Sequence, residues 1–362
     1  MSTEYQPVQI VDLKIHMLRT PDNGTPSGLL RLITDQGIEG WSNEVTADMA
    51  HALRGEAREW LVGADAMARE KLWHEFLRWE RYRWLPKGLR GVIDIGLWDI
   101  AGKKLGLPVW RLLGAARERV PAYRTQAGTF EPEGRTVDHF IRHALEVKAQ
   151  GYKGSKDHCY AGVRFMKDLA RELRAAVGDD FYLMHDAVQL YDVGEAIRVG
   201  RILEEYEFHW FEEPLRDCDY MGLKKVCDAL DIQVVAGEYF PGQFHGYSQM
   251  LALGAADGIK PQALGGGGIT EMVKLAHLAE SFGAKIHASA GSNMWGFAPV
   301  QINGGIDNAS LLEVHPPFEH ATHPAVKNPL RVEDGYVRMP EGPGLGVELD
   351  WERIEGDTVE VL

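Results

Sequence analysis

The stretch DFYLMHDAVQLYDVGEAIRVGRILEEYEFHWFEEP (180–214) contains the repeating unit of this chain. It begins with a short β-rich run (180–187), continues through a stretch of helical periodicity, and ends in a second β-rich run (208–214). A strand, a helix and a strand in this order are typical of a parallel βαβ unit. An acidic residue, Asp186 or Glu212, stands near the end of each β-rich run.

The same alternation extends outward over most of the chain from about residue 120. Its β-rich runs are VPAYRT (120–125), GYKGSKDH (151–158), DFYLMHDA (180–187), FHWFEEP (208–214), IQVVAGEY (232–239), DGIKPQ (257–262), GAKIHASA (283–290) and SLLEVH (310–315). Eight such runs with about seven clear helices between them predict a barrel of the (β/α)8 type. An open doubly wound sheet is the rival interpretation, but it normally has fewer units, and no GxGxxG follows the first strand here.

The two ends of the chain have a different pattern. QIVDLKIHML and LLRLITDQGIEGWSNE predict a meander with Asp-Gln-Gly (35–37) as a turn, and helical segments follow it. The tail is again strand and turn and is too short to fold alone. We therefore expect a capping domain of residues 1–119, with residues 327–362 packed back on it, and a barrel of residues 120–326.

The composition limits the classes of function. The chain has 39 Lys and Arg against 53 Asp and Glu, and its net charge of −14 disfavours binding to nucleic acid or to an anionic membrane surface. No apolar run approaches the ~18 residues of a membrane span, and the N-terminus lacks the pattern of a secretion signal. The three cysteines include no CxxC pair, so neither a disulfide framework nor a structural zinc site is expected. These features predict a cytoplasmic protein with a small-molecule substrate, no nucleic-acid or membrane partner, and a homo-oligomeric state.

Three acidic residues end consecutive β-rich runs. Asp186, Glu212 and Glu238 follow one another at intervals of 26 residues, about the length of one βα unit. Because the chemistry of a parallel barrel lies at the carboxyl ends of its strands, we expect these carboxylates to converge. They would repel one another without a cation, and oxygen ligands without His or Cys favour Mg²⁺, or alternatively Mn²⁺, over zinc. Glu213 points the other way by the two-residue strand period, so we expect it to be structural.

The second β-rich run contains two candidate bases. Lys156 and His158 are two residues apart and share a strand face, whereas Asp157 points outward. Directed into a barrel mouth beside a divalent cation, either side chain could serve as a general base. We expect cation proximity and partial burial to move both pKa values toward neutrality.

Together these residues resemble the enolase superfamily, and within it the mandelate racemase-like branch. The resemblance covers nearly the whole chain and includes GVIDIGLWDIAGKKLGLPVWRLLG (91–114), the three acids, and ADGIKPQALGGGGIT (256–270). It implies an α/β fold in which an α+β capping domain of N- and C-terminal segments closes a (β/α)7β barrel. It also implies a magnesium ion that stabilises an enediolate, formed when a Lys or His base removes the proton alpha to a carboxylate.

The chain departs from this branch at three strands. His158 stands where the second lysine of a Lys-x-Lys pair is usual. Gln262 replaces the Asp that usually ends the sixth strand, and Ser289 replaces the His that ends the seventh, with His287 two residues earlier on the same face. The Asp–His dyad of the racemase branch is therefore absent.

The resemblance assigns further residues to the substrate. Glu313, at the end of the eighth strand, matches the acid that hydrogen-bonds on the substrate carboxylate side. Lys260 lies one layer deeper than Gln262 and is expected to be a charge neighbour of the metal acids. A polar mouth suits a polyol, and the residues expected to form it are Gln262, Ser289, Asn293 and Glu313.

The missing dyad leaves competent bases on one face of the substrate only, whereas racemisation needs a base on each face. We therefore expect dehydration of an aldonate or an aldarate to a 2-keto-3-deoxy acid. His158 is the expected base and Lys156 its electrostatic partner, or the reverse, and His287 is a candidate acid. A racemase or epimerase with unusual bases and a non-catalytic protein that binds a sugar acid are the alternatives.

Specificity is expected to come from the capping domain. The candidate segments are residues 19–28, residues 43–51, and Arg81-Tyr82-Arg83-Trp84. Arg83 could clamp a distal carboxylate, which would favour an aldarate, or it could be a surface charge.

Overall fold

The computed structural model describes residues 5–19, 27–126, 136–159, 161–238, 240, 243–263, 265–289, 293–309, 311–315 and 322–362. At Gln243, Asn293 and Met294 it describes the backbone alone. In these parts of the chain, no helix combines the length and the apolar character that crossing a membrane requires.

A four-stranded antiparallel sheet forms one layer of the capping domain. Its strands are β1 (Ile10–Leu18), β2 (Ser27–Thr34), β3 (Glu39–Val45) and, from the C-terminus of the chain, β14 (Thr358–Val361). They are arranged in the order β14–β1–β2–β3. The predicted Asp-Gln-Gly turn joins β2 to β3, and Gly37 ends it with a φ of +71°, which glycine adopts without steric cost.

The helices of the capping domain pack on this sheet. They are α1 (Ala47–Arg54), α2 (Glu56–Leu61), α3 (Arg69–Arg83), α4 (Leu89–Leu105) and α5 (Val109–Leu113). Helix α4 is apolar on nearly all sides and is buried over most of its length, as expected of a helix between two layers. It ends at Gly106, whose φ of +68° allows a left-handed C-cap.

Eight parallel strands form the barrel. They are β4 (Arg119–Thr125), β5 (Gly154–Asp157), β6 (Tyr182–Asp186), β7 (Trp210–Glu212), β8 (Val234–Ala236), β9 (Gly258–Ile259), β10 (Lys285–Ile286) and β11 (Leu312–Val314). Each pairs with the next from β4 to β10, and β11 pairs with β4. A parallel bridge between Ile286 and Ala309 completes the ring.

In the parts of the chain that the structure describes, seven helices connect these strands. They are α6 (Val137–Ala149), α7 (Val163–Val177), α8 (Val193–Glu205), α9 (Tyr220–Ala229), α10 (Gln243–Leu253), α11 (Gly268–Ser281) and α12 (Phe297–Gly305). A 3₁₀ turn (Asn293–Gly296) precedes α12. The predicted (β/α)7β barrel with an α+β capping domain is confirmed, and the doubly wound sheet is excluded because the sheet closes on itself.

The C-terminal segment divides between the two domains. Its first strands are β12 (Val332–Glu333) and β13 (Tyr336–Arg338), and β13 pairs antiparallel with β4 of the barrel. Helix α13 (Trp351–Asp357) then leads to β14, which joins the sheet of the capping domain beside β1. The tail therefore packs on the barrel as well as on the cap.

Helix α4 docks the cap onto α11 of the barrel. The carboxylate of Asp94 accepts hydrogen bonds from the backbone N–H and the hydroxyl of Thr270, at 2.9 and 2.5 Å. Arg90 forms a buried ion pair with Glu271. The close approach requires glycine at Gly268, where an added Cβ would lie 2.4 Å from Asp94 Oδ2. This docking fixes the cap relative to the barrel.

Candidate active site

The three strand-end acids converge. Asp186 and Glu212 are the last residues of β6 and β7 and are partners in the strand register. Glu238 lies two residues beyond β8, after Gly237, whose φ of +99° allows the chain to turn there. One ligand atom from each acid lies within 4.8 Å of the others. Asp186 and Glu212 thus occupy equivalent strand-end positions, as their sequence interval indicated. Glu238 reaches the same site from a turn beyond the end of β8.

Each of these carboxylates has one oxygen engaged by a hydrogen-bond donor of the protein. The pairs are Asp186 Oδ1 with the backbone N–H of Val188 (2.9 Å), Glu212 Oε2 with the indole N–H of Trp210 (2.9 Å), and Glu238 Oε1 with the hydroxyl of Ser289. These bonds orient the acids, and the second oxygens of Asp186 and Glu212 accept hydrogen bonds from the ammonium of Lys156. Three oriented, hard oxygen donors fit Mg²⁺ or Mn²⁺.

Lys156 lies among the acids as a buried ammonium group. Its Nζ is 2.6 Å from Glu212 Oε1, 3.2 Å from Asp186 Oδ2 and 3.0 Å from Glu313 Oε1. Burial opposes its charge, but the three carboxylates outweigh burial and raise the pKa of Lys156 well above its usual value. These carboxylates act against the expected shift of this pKa toward neutrality, because they surround the ammonium more closely than the sequence suggested.

His158 reaches the same acids from the residue after β5. Its Nδ1 is 2.8 Å from the carbonyl oxygen of Gln126, which can only accept, so Nδ1 carries a proton. Its Nε2 is 3.0 Å from Asp186 Oδ2. Burial opposes the charged form, but the hydrogen bond to Asp186 prevails and raises the pKa of His158. Nε2 is therefore the ring nitrogen that can exchange a proton at the site.

A second charged layer lies beside these groups. The Nζ of Lys260 is 2.5 Å from Glu313 Oε2, 3.1 Å from the hydroxyl of Tyr123 and 3.6 Å from Glu212 Oε1. The hydroxyl of Thr125 donates a short hydrogen bond to Glu313. Although burial acts in the opposite direction, the two lysines hold the pKa of Glu313 well below its usual value. Because Lys260 has no exposed surface, it acts on the site through Glu212 and Glu313 and is not placed to contact a substrate.

A cavity of about 290 Å³ lies between the barrel mouth and the cap. Its barrel side includes Glu238, Gln262 and Gly265, and its cap side includes Leu85 and Lys87. Gln262 is thus next to a metal-site acid and is available to a bound molecule.

His287 does not have the position expected of a proton donor at the mouth. Its ring centroid lies 4.7 Å from that of Trp210, the first residue of β7, and its Nε2 is 3.1 Å from where a Cβ on Gly258 would be. Neither ring nitrogen has a hydrogen-bond partner among the described residues. Burial, followed by the charge of Lys260, lowers the pKa of His287 to about 3. The assignment of His287 as the acid is therefore wrong, since the ring lies too deep and stays neutral.

Arg83 does not line the cavity. Its guanidinium pairs with Glu56 at 3.1 Å and lies over the ring of Trp79, both in the cap. The neighbouring Tyr82 and Trp84 are 68% and 91% exposed. The expected clamp on a distal carboxylate is contradicted here, because the end of α3 turns these side chains toward solvent.

Other predicted substrate contacts are described only in part. The side chain of Asn293 and residues 20–26 of the first specificity segment lie outside the described residues. Residues 43–51 span the end of β3 and the start of α1, and Glu44 among them has a φ of +63°.

Glu213 supports the loop that presents Glu238. Its Oε1 accepts the backbone N–H of Glu238 at 2.9 Å, and Asp217 accepts that of Gly237 at 2.9 Å. The amide of Gln189 donates to both acids. Burial raises the pKa of Glu213 to about 9 and that of Asp217 to about 6, so the pair retains a proton near neutrality. The strand period indicated the outward direction of Glu213, but not this network.

Sequence reasoning missed His315. It follows Glu313 by two residues, and its ring centroid lies 6.2 Å from that of His158. Burial is the main cause that lowers its pKa. The two-residue strand period, applied to Glu313, was the signal that could have found it.

Both halves of the chain match known domain families. Residues 7–114 match the family described as the mandelate racemase/muconate lactonizing enzyme N-terminal domain. Residues 139–353, more than half of the chain, match the family described as enolase C-terminal domain-like.

Individual relatives extend over the cap and the barrel together. The D-galactarolactone cycloisomerase of Agrobacterium fabrum is 32% identical over 346 residues, which are 89% of this chain and 88% of the relative. The L-talarate/galactarate dehydratase of Salmonella typhimurium is 32% identical over 264 residues, which are 71% of this chain and 62% of the relative. Among solved structures, a D-glucarate dehydratase of Agrobacterium tumefaciens complexed with magnesium has a TM-score of 0.89 and 28% identity, covering 98% of this chain and 100% of the other.

Proposed function

The chain belongs to the mandelate racemase/muconate lactonizing enzyme family of the enolase superfamily, and on that premise we propose that it is a magnesium-dependent dehydratase of acid sugars. The observation that carries the proposal is the one-sided placement of its bases. Lys156 and His158 extend from β5, whereas the sixth and seventh strand positions hold Gln262 and Ser289. A single basic face supports elimination better than two-base racemisation.

The proposed metal site consists of three carboxylates, two of which also contact the ammonium of Lys156. Asp186, Glu212 and Glu238 would hold the cation, which supplies positive charge where the substrate carboxylate becomes an enediolate. The Lys156 ammonium adds a second fixed positive charge beside Glu212 and Glu313. Both charges favour loss of the proton alpha to the carboxylate.

His158 is the base in this proposal. Its Nδ1–H is fixed by the Gln126 carbonyl, so Nε2 is oriented into the site. A cation held by Asp186 would compete for Oδ2, the atom whose contact with His158 raises the pKa of the imidazole. Nε2 can then accept the alpha proton. Lys156 is less suited to this step because Glu313, which is not among the proposed cation ligands, also contacts its ammonium group at 3.0 Å.

The direct test is a screen of acid sugars with the purified protein and Mg²⁺. The panel contains mono- and diacids, including galactarate, L-talarate and D-glucarate, which the names of the relatives suggest. We expect a semicarbazide-reactive 2-keto product with the mass of the substrate minus water, formed only with Mg²⁺. Recovery of unconsumed, C2-deuterated epimers from D₂O would instead indicate a racemase, and binding without turnover would indicate a non-catalytic protein.

A cycloisomerase is the second candidate, favoured by the relative of that name that aligns with 89% of this chain. The base at His158 would be the same, but all atoms of the substrate would remain in the product. Sugar-acid lactones belong in the same screen for this reason. A product of unchanged mass from a lactone, with no water loss from open-chain acids, would replace the dehydratase proposal.

A further inference from the structure

Elimination of water needs a proton donor as well as a base, since hydroxide is a poor leaving group. Three described groups near the site are poorly suited to donate this proton, and they include His287, the acid expected from the sequence. The ammonium of Lys156 is 1% exposed and is enclosed by three carboxylates. His287 lies deep in the barrel, and Ser289 already donates its hydroxyl proton to Glu238. A titratable group at the mouth that a substrate can reach is better suited to the role of the acid.

His315 lies at the mouth on the opposite side of β4 from His158. Strand β11 pairs with β4, with Glu313 opposite Tyr123. Because side chains alternate along a strand, His315 shares the inward face of Glu313 and lies one layer nearer to the opening. The planes of its ring and the His158 ring are inclined at 71°. Two imidazoles thus lie near each other at the ends of the second and eighth barrel strands.

The charged groups that face His315 come from three strands. They are His158 and Lys156 from β5, Glu238 after β8, and Glu313 on its own strand. Unlike Lys156, His315 is exposed, so a substrate entering from solvent can reach it. Burial lowers the pKa of His315, so its protonated form is a stronger proton donor than free histidine, whereas the carboxylate of Glu313 favours that protonated form.

We propose that His315 is the general acid of the dehydration, an inference that rests on the function proposed above. His158 takes the alpha proton, and the electron pair of that C–H bond becomes the enediolate. The pair then forms the Cα–Cβ double bond as the Cβ–O bond breaks. The departing oxygen takes a proton from His315 and leaves as water, and the enol tautomerises to the 2-keto-3-deoxy acid. His158 ends protonated, His315 ends neutral, and solvent restores both.

The test compares His315→Gln with His158→Gln on two probes. The first is the acid sugar with the highest turnover in the screen, and the second is its analogue with fluoride in place of the β-hydroxyl. Fluoride leaves without a proton, so only the first probe needs an acid. His74→Gln is the matched control, because His74 is a half-exposed histidine of the cap that pairs with Glu70. Calorimetric titration with Mg²⁺ checks that the metal site of each variant is intact.

For His315→Gln we expect water loss to slow by about 10² to 10⁴-fold. Deuterium should still enter at the alpha carbon of unreacted substrate in D₂O, and fluoride release should stay near the wild-type rate. His158→Gln should lose exchange and both eliminations. Two results for His315→Gln would overturn the role of His315 but not the proposed function. One is water loss at the wild-type rate, and the other is a loss of deuterium exchange and fluoride release in parallel with water loss. A wild-type enzyme that releases neither water nor fluoride from any acid sugar overturns the proposed function as well.

Discussion

Lys156 and His158 lie on adjacent layers at the end of β5, and their neighbours affect their protonation differently. Lys156 has carboxylates on three sides, from β6, β7 and β11, and they favour its protonated form. His158 contacts one carboxylate and one carbonyl, so a change at Asp186 alone alters its protonation. Contacts at the scale of single residues thus separate the electrostatic partner from the base.

Replacement of Lys156 by methionine should destabilise the metal-free protein. The change leaves buried Asp186, Glu212 and Glu313 without their shared cation, a loss that is typically about 3–5 kcal/mol. Mg²⁺ should restore more stability to Lys156→Met than to the wild type, because it replaces the missing charge. Urea denaturation with and without Mg²⁺ measures both effects. The exposed Lys167→Met on α7 is the control, and an equal Mg²⁺ response in Lys156→Met and wild type would contradict the expectation.

Replacement of Ser289 by alanine should weaken metal binding. The hydroxyl orients Glu238, and loss of such a supporting hydrogen bond typically lowers metal affinity by about 10- to 100-fold. Calorimetric titration with Mg²⁺ measures the change. Ser281→Ala, which removes a hydroxyl bonded to a carbonyl at the end of α11, is the matched control. An unchanged Mg²⁺ affinity with a raised KM would mean that Ser289 contacts the substrate instead.

At the scale of elements, the α4–α11 contact joins the domains through a buried carboxylate. Burial raises the pKa of Asp94 to about 7, although its hydrogen bonds from Thr270 favour the charged form. The folded protein therefore binds a proton at this site at a pH where the unfolded chain does not. Stability from this group is greatest at low pH and is lost as pH rises toward 7.

Asp94→Asn should remove this part of the pH dependence. Between pH 5 and pH 8, the free energy of unfolding of the wild type should fall by about 3 kcal/mol more than that of the variant, since the proton is lost over about two pH units and each corresponds to about 1.4 kcal/mol. Chemical denaturation of both proteins at the two pH values gives the difference. Parallel pH profiles would show that Asp94 is already ionised at pH 5.

At the scale of the whole molecule, the metal site joins three barrel strands and lies beside the cavity under the cap. Because the unfolded chain does not assemble this site, Mg²⁺ should stabilise the folded protein by about 2.7 kcal/mol at a concentration 100 times its Kd. Thermal melting with EDTA and with increasing Mg²⁺ tests this. Glu238→Gln should lose most of the shift, and a shift of equal size in that variant would place the ion elsewhere.

The fold could be predicted because its signals are local. Eight β-rich runs alternating with helical periodicity, and a turn at Asp-Gln-Gly, are patterns within short windows of sequence. The convergence of Asp186, Glu212 and Glu238 was also predictable, because equal spacing on repeated βα units translates into neighbouring strand ends. The C-terminal tail was only partly predictable, since β13 pairs with a barrel strand more than 200 residues earlier in the chain.

The protonation and depth of the site residues depend on contacts between distant strands. Lys156 and Glu313 are 157 positions apart in sequence and 3.0 Å apart in space, and this contact helps to reverse the expected pKa shift of Lys156. His287 shares a strand face with Ser289, yet only the barrel interior shows that it packs against Trp210 below the mouth. A role for His315 can be inferred only from its position beside His158 in the folded protein. Periodicity along one strand predicts the direction in which a side chain points. Its depth, its neighbours and the electrostatic field that acts on it depend on all the strands that surround it in the folded barrel.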